Sequence, residues 1–331
     1  MLIQNKSKSP KVFIIHENEE WSEPLFEALS NRNIPYSNWN MSRIILDLAQ
    51  PAPEGIFYNR MSASSHTRGN RYAPEMTIGL LSWLESQNRL VLNRRSALNL
   101  EISKLVQYAA LESVGLSVPQ TIAVSSREDV VKAYRSIPFD DIITKHNRAG
   151  KGLGVKLLKS EIAALEYSNS IDFEDSVDGL TLVQQYIRPK DSSITRVEFI
   201  GREFLYAVRV DTSKGFELCP ADACSLVDGF CATEEQANFP FDVIPNFEKS
   251  LTGQELLPKM ISLMHNEGID VAGFEFVTDI TGRHYCYDIN TNTNYNSDAE
   301  NRFGLFGMQR LGEYLGDQLK SAYNVSLKKV S

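Results

Sequence analysis

Glu275, Asp288 and Asn290 have the residue types and spacing to make an oxygen-lined cation site. Glu275 lies in one apolar run, Phe274–Val277. Asp288 and Asn290 belong to the next, which starts at Tyr285. Between the runs, Asp279–Gly282 (Asp-Ile-Thr-Gly) is a turn signal, so the stretch predicts a β-hairpin. Asp288 and Asn290 are two residues apart and leave the same face of their strand. Glu275, on the partner strand, can face the same space. Two carboxylates and an amide oxygen suit Mg²⁺, which takes one or two carboxylates and keeps its other positions for water and phosphate. On an edge hairpin the same residues would simply be solvated, so the hairpin alone leaves both readings open.

Segments upstream add chemistry. Asn147-Arg148-Ala149-Gly150-Lys151-Gly152-Leu153-Gly154 joins two predicted strands, Ile142–Lys145 and Val155–Leu158. Its glycines let backbone N–H groups approach a ligand closely and cradle phosphate oxygens. The loop is not G-x-x-x-x-G-K-[ST] and it opens a strand, which excludes a P-loop or a dinucleotide fingerprint. A plain hairpin turn fits it equally well by itself. Lys145 ends an otherwise apolar strand, so it must snorkel or meet an anion, and a nucleotide phosphate would supply one. Leu182–Ile187 ends a strand ahead of Pro189, where backbone groups either read an adenine edge or simply close an ordinary strand. Arg196 and Arg209 interrupt apolar runs on neighbouring strands, and guanidinium forks suit carboxylate and phosphate. In the loop Tyr58–Arg71, the side chains of Arg60, Arg68 and Arg71 either clamp a substrate carboxylate or form a solvated basic surface. Asn292 joins them as a substrate-side residue.

These groups need elements to position them. Lys11–His16 reads as a buried strand, Trp21–Ser30 as a helix, Ile56–Asn59 as a strand, Ala73–Ser86 as a helix and Leu90–Leu92 as a strand. This alternation predicts an α/β unit with a parallel sheet, and ligands of such sheets bind beyond the strand carboxyl ends. Ser103 opens a helix over Lys104–Val114, and Thr121–Val124 is a strand. From Ile142 the pattern becomes α+β, with a hairpin turning at Gly201-Arg202, a helix over Leu251–Glu267 and a closing helix over Leu305–Tyr323. The organisation predicted is residues 1–100 as an N-terminal α/β domain, 101–190 as a central lobe and 191–331 as a C-terminal lobe with the metal site.

The 331 residues carry a net charge of −8, which argues against a general nucleic-acid surface. No apolar run approaches the roughly 20 residues needed to cross a bilayer. The polar N-terminus lacks a signal-peptide core, so the expected compartment is the cytoplasm. Cys219, Cys224, Cys231 and Cys286 lack zinc-site spacing and read as buried reduced thiols, with a thiol near a substrate pocket the alternative for Cys219 and Cys224. The five histidines are scattered, and none is assigned a catalytic role.

In their order along the chain, these segments resemble the ATP-grasp superfamily, and within it the ribosomal-protein S6 glutamate ligases and related amino-acid ligases. The stretches that carry the resemblance are Lys104–Thr121, Ile142–Lys145 with Gly150–Val155, Leu182–Ile187, Ile194–Gly201 and Ala272–Asn294. The implied fold is a preATP-grasp α/β domain followed by two ATP-clamping lobes. The resemblance implies that Lys104 and Lys145 contact nucleotide, that Gly150, Lys151, Gly152 and Gly154 close over phosphates, and that Gln184, Gln185 and Ile187 hold adenine. It places Asp191 at the ribose, Arg196 and Arg209 at the transferred phosphate, and Glu275, Asp288 and Asn290 on Mg²⁺, with Mn²⁺ as an alternative. The family's metal positions are commonly Asp then Glu-x-Asn, so reach is swapped here while charge is kept. Glu217–Cys224 replaces an Asn-containing strand, which points to an amine or basic acceptor.

The activity this implies is an ATP-dependent carboxylate–amine ligase that forms an amide through an acyl phosphate and releases ADP and phosphate. Its partners would be a small-molecule carboxylate and an amine, amino acid or peptide, with no nucleic acid and no membrane. A homo-oligomer is one assembly to test. The alternatives are a small-molecule kinase on the same fold and a nucleotide-binding regulatory protein without turnover.

Overall fold

A computed structural model describes residues 9–139, 141–150, 154–213 and 241–323. The N-terminal segment contains β1 (Lys11–His16), α1 (Glu19–Asn31), β2 (Tyr36–Asn40), β3 (Gly55–Asn59), α2 (Ala73–Ser86), β4 (Leu90–Leu92), α3 (Arg95–Glu101) and α4 (Lys104–Ser113). Its strands pair in parallel in the order β2-β1-β3-β4. The run Val12–Ile15 is fully apolar because β1 is covered on both faces. Val12 and Ile14 pack with Leu25 and Leu29 of α1, while Phe13 and Ile15 pack with Leu80, Leu81 and Leu84 of α2. Asn18 caps α1 by accepting the Trp21 N–H, and Glu19 and Glu20 complement the helix dipole.

The central segment is β5 (Thr121–Val124), α5 (Val130–Ser136), β6 (Ile142–His146), β7 (Lys156–Leu158), α6 (Glu161–Asn169) and β8 (Thr181–Gln185). The strands form an antiparallel sheet in the order β5-β8-β6-β7. The C-terminal segment holds β9 (Ser193–Ile200), β10 (Glu203–Asp211), β11 (Phe241–Val243), α7 (Leu251–Asn266), β12 (Val271–Thr278), β13 (His284–Asn290), α8 (Ser297–Phe303) and α9 (Gly307–Tyr323). Its antiparallel sheet runs β11-β10-β9-β12-β13. One face of that sheet, through Val197, Phe199, Phe274 and Phe276, packs on Leu256, Met260 and Leu263 of α7. The other face, through Ile200, Val208 and Val271, joins the cluster that holds Leu311 and Leu315 of α9.

Elements β2, α3, α5, β11 and α8 were not read from the sequence, and the long C-terminal helix begins at Gly307 rather than Leu305. The sequence also groups α9 with the C-terminal lobe. In space Leu311, Leu315 and Leu319 of α9 pack against α1 and β3, and Tyr323 Oη accepts the Gly55 N–H at 3.0 Å. A stripe at i, i+4, i+8 must cover some apolar face, but only the tertiary fold selects which.

Candidate active site

Three adjacent strands carry a row of charges on one face. Arg196 of β9 stands opposite Glu275 of β12, which stands opposite Asp288 of β13. Arg196 Nη1 donates to Glu275 Oε1 at 3.0 Å, and Arg196 Nε donates to Glu198 Oε1 at 2.5 Å. Thr293 Oγ1 donates to Glu198 at 2.8 Å and accepts from Arg196 Nη2 at 2.5 Å. Glu198 and Arg196 leave the same face because they are two residues apart. They lie over Gly273, where an added Cβ would sit 2.9 Å from Glu198 Oε2 and 3.0 Å from Arg196 Nε. The glycine is therefore required by this close approach.

Glu275 also accepts from Tyr287 Oη at 3.1 Å and from Asn290 Nδ2 at 3.3 Å. Burial pushes its carboxyl pKa up, Arg196 opposes that, and the neighbouring Asp288 adds to it. Lys104, at the start of α4, places its ammonium 2.6 Å from Asp288 Oδ1. The position of Lys104 is fixed by Asn147, whose carbonyl accepts the Lys104 N–H and whose Oδ1 accepts the Leu105 N–H. Lys145 of β6 is buried beside the rings of Tyr108 and Tyr287, at 5.2 and 5.8 Å from their centroids. Burial, with Lys104 alongside, pushes its ammonium down to about 7.

Lys104, Lys145, Arg196, Glu275, Tyr287, Asp288 and Asn290 line a cavity of about 370 Å³ between the lobes. Its lining includes the apolar side chains Ile143, Val155, Ile187, Val210, Phe241 and Val277, together with Gln184 and Gln185. The N-terminal segment contributes Trp21, Ser62, Ala63 and Ser64 to the wall, and Asn292 and Asn294 also line it. Gly150 lies against Ser64, so the start of the glycine-rich loop touches the N-terminal segment. Arg148 ties the same loop to Glu75 of α2 at 2.8 Å.

No protein-family model matches the chain, and no curated protein matches it. Solved structures do. The structure of ATP-grasp ligase PsnB complexed with minimal precursor is similar at TM-score 0.65 and 16% identity, over 93% of this chain and 99% of that one. The RimK domain protein ATP-grasp from Sphaerobacter thermophilus is similar at TM-score 0.62 and 15% identity, over 93% and 99%. The fold is ATP-grasp. Macrocyclase MdnC bound with precursor peptide MdnA, from Microcystis aeruginosa, is similar at TM-score 0.61 and 12% identity, again over 93% and 99%.

On this ATP-grasp frame the structure brings most of the sequence-selected residues to one cavity: Lys104, Lys145, Gly150, Gln184, Gln185, Ile187, Arg196, Glu275, Asp288, Asn290 and Asn292 all line it. Arg209 does not reach it. A bulge between Phe204 and Tyr206 shifts the β9–β10 register, so Arg209 stands opposite Thr195 and Val208 stands opposite Arg196. A one-residue shift moves a side chain to the other face of a sheet. Arg209 is consequently exposed and pairs with Asp191 at 3.4 Å, which takes Asp191 off the cavity wall as well. Arg71 is half-buried beside Glu75 at 3.8 Å and does not line the cavity. Arg68 is bound to Glu17 and stacks 4.5 Å from the Trp21 ring, one layer behind the wall. Gly154 packs on the His146 ring rather than lining the cavity. Lys151, Gly152, Cys219 and Cys224 lie outside the described residues. Cys286 is buried, which raises its thiol pKa to about 12.

Sequence reasoning missed Glu198, Glu101 and Asn294. Glu101 is buried in the cavity wall and accepts the Ala63 and Thr291 N–H groups at 3.1 and 2.7 Å, joining that wall to the strip after β13. Glu198 and Asn294 each had a signal, a spacing of two from Arg196 and Asn292.

Proposed function

We propose that this protein is an ATP-dependent carboxylate–amine ligase that activates a carboxylate as an acyl phosphate and releases ADP and phosphate. The observation that carries the reading is the row Arg196–Glu275–Asp288 across three strands, with Lys104 and Lys145 at its edge. Paired carboxylates facing one space need cations, and here Arg196 and Lys104 fill part of that need. Among the described residues no three His, Cys, Asp or Glu converge as a metal cluster, so the donor set is two carboxylates and the Asn290 amide. That set fits Mg²⁺, which relies on phosphate and water for its other ligands. When bound, the ion would supply charge neutralisation between the phosphates and the two carboxylates.

The protein's own groups do the rest by position and charge. The part of the wall formed by Gln184, Gln185 and Ile187 would take the base, and Lys145 and Lys104 would meet the phosphates. Arg196, held by Glu198 and Thr293, is aimed at the oxyanion of the transferring phosphoryl group and of the acyl phosphate. An amine then attacks the acyl carbon and phosphate leaves with the electron pair. The ATP-grasp ligase PsnB is known in complex with minimal precursor, Mg and ADP, and with precursor peptide PsnA2 and AMPPNP, which supports a nucleotide, a divalent ion and an amine-bearing or peptide substrate here. The kinase alternative shares every step up to phosphoryl transfer.

The test is ADP release against paired libraries of carboxylates and amines, with hydroxylamine as trap. Amine-dependent ADP and phosphate release, with hydroxamate formed in the trap, is expected. Release of AMP and pyrophosphate, or of ADP independent of any amine or hydroxylamine, would reject the ligase reading.

A further inference from the structure

Arg60 follows β3 and is 2% exposed, yet it makes no ion pair among the described residues. The other buried arginines do: Arg148 pairs with Glu75, and Arg196 pairs with Glu198 and Glu275. Glu17 acts on Arg60 only at longer range and is already held by Arg68. A buried charge without a partner is costly, which makes Arg60 a residue waiting for an anion.

Its hydrogen bonds show where that anion would sit. Nε donates to Asn292 Oδ1 at 3.1 Å and Nη2 donates to Asn294 Oδ1 at 2.8 Å, while Nη1 has no partner. Guanidinium only donates, so both amides must turn their oxygens to it and their NH₂ groups away. Neither NH₂ group is hydrogen-bonded among the described residues, and both asparagines line the cavity. The strip is also pinned from behind. Thr291 is held by Glu101 and Thr293 by Glu198, so Asn290, Asn292 and Asn294 alternate toward the cavity. At extended-chain rise, Asn292 and Asn294 lie at most about 7 and 13 Å from Asn290.

We propose that the Asn292–Asn294 amide pair, backed by Arg60, receives a second, unreacted carboxylate of the acyl substrate, which makes that substrate a short dicarboxylate. This rests on the ligase reading above. The reacting carboxylate lies at Arg196 and the Glu275–Asp288 pair, and the second lies along the strip. Arg60 is a positioning residue here, since it acts through the two amides.

Thermal denaturation of the full chain with Mg²⁺ and ADP tests this, using succinate, glutarate and adipate against butyrate and chloride at equal ionic strength. At least one dicarboxylate should raise the melting temperature saturably, with butyrate needing at least tenfold more. Asn292→Asp with Asn294→Asp gives Arg60 carboxylate partners and removes the donors. That double variant should fold, keep its response to Mg²⁺ and ADP, and lose the dicarboxylate response. Arg60→Met should lose it too, without a lowered melting temperature in the absence of ligands, because it deletes an uncompensated charge. The proposal is overturned if no dicarboxylate outperforms butyrate, or if the double variant responds as the parent does. Absence of any response to Mg²⁺ and ADP would instead overturn the ligase reading, and this inference with it.

Discussion

Glu275 and Asp288 face one another across the β12–β13 ladder, and each is met by a cation from a different element: Arg196 at 3.0 Å for Glu275 and Lys104 at 2.6 Å for Asp288. The carboxylate pair thus ties together β9, the hairpin and α4. It is a junction as well as a candidate metal site, and the two roles separate on substitution.

Asp288→Asn keeps shape but removes one negative charge. Lys104 then loses its ion pair, and a divalent ion loses a charged ligand. We expect ADP release to fall at least 100-fold, while the melting temperature stays within a few degrees and ADP still binds. Turnover within threefold of the parent would rule out Asp288 as a ligand.

Gly273→Ala tests the close approach beneath Arg196. The new Cβ would meet Glu198 Oε2 and Arg196 Nε at 2.9 and 3.0 Å, and both partners are pinned by Thr293. Overpacking of this kind costs about 1–3 kcal/mol. Stability should fall by that amount in urea titration, and turnover should fall at least tenfold as Arg196 shifts. Gly79→Ala, in α2 with nothing within 4 Å of the new Cβ, is the control and should be neutral or stabilising.

The hairpin was legible because strand periodicity fixes which residues share a face, and Glu275, Asp288 and Asn290 obey it. Arg209, which the resemblance places at the transferred phosphate, lies on the other face. An unbulged hairpin turning at Gly201-Arg202 would have put Arg209 on the face of Arg196, and the bulge at Phe204–Tyr206 reverses that. Local pattern carries no sign of a bulge that tertiary packing selects. Long-range partners were equally hidden: nothing near Glu101 in sequence points to Thr291, and nothing near Arg60 points to Asn294. The parallel N-terminal sheet was readable from alternating apolar strands and helices, whereas the docking of α9 on it was not.

The two arginines therefore make opposite predictions. Arg196→Ala leaves Glu198 and Glu275 without their cation and removes the oxyanion donor. It should cut kcat at least 100-fold with a much smaller change in ATP affinity. Arg209→Ala removes an exposed pair to Asp191, a contact of the kind worth about 0–1 kcal/mol. Turnover and stability should both stay near the parent values. Steady-state kinetics of the two variants side by side would settle the assignment, and a large loss in Arg209→Ala would return that residue to the chemistry.

Lys145 gives the last prediction, through protons. Burial lowers its pKa from 10.5 to about 7, so the folded free protein gives up this proton at a pH where the unfolded chain still holds it. The unfolded state then binds more protons between pH 7 and about 10.5, and the stability contributed by this group rises with pH across that window. Below pH 7 the desolvated charge is fully destabilising. Lys145→Met should therefore stabilise the ligand-free protein most at or below pH 7, with the gain fading by about pH 10. Nucleotide reverses the sign. A phosphate beside the ammonium favours the charged form and raises its pKa. At pH 8 the free protein holds little of that proton, so ATP binding should take up a proton at Lys145. Calorimetry in two buffers of different ionisation enthalpy reads this uptake directly. It should shrink toward zero at pH 6, where Lys145 is already charged, and vanish in Lys145→Met at pH 8 along with a large part of the ATP affinity. Equal proton uptake in the parent and in Lys145→Met would show that the phosphates do not meet this lysine.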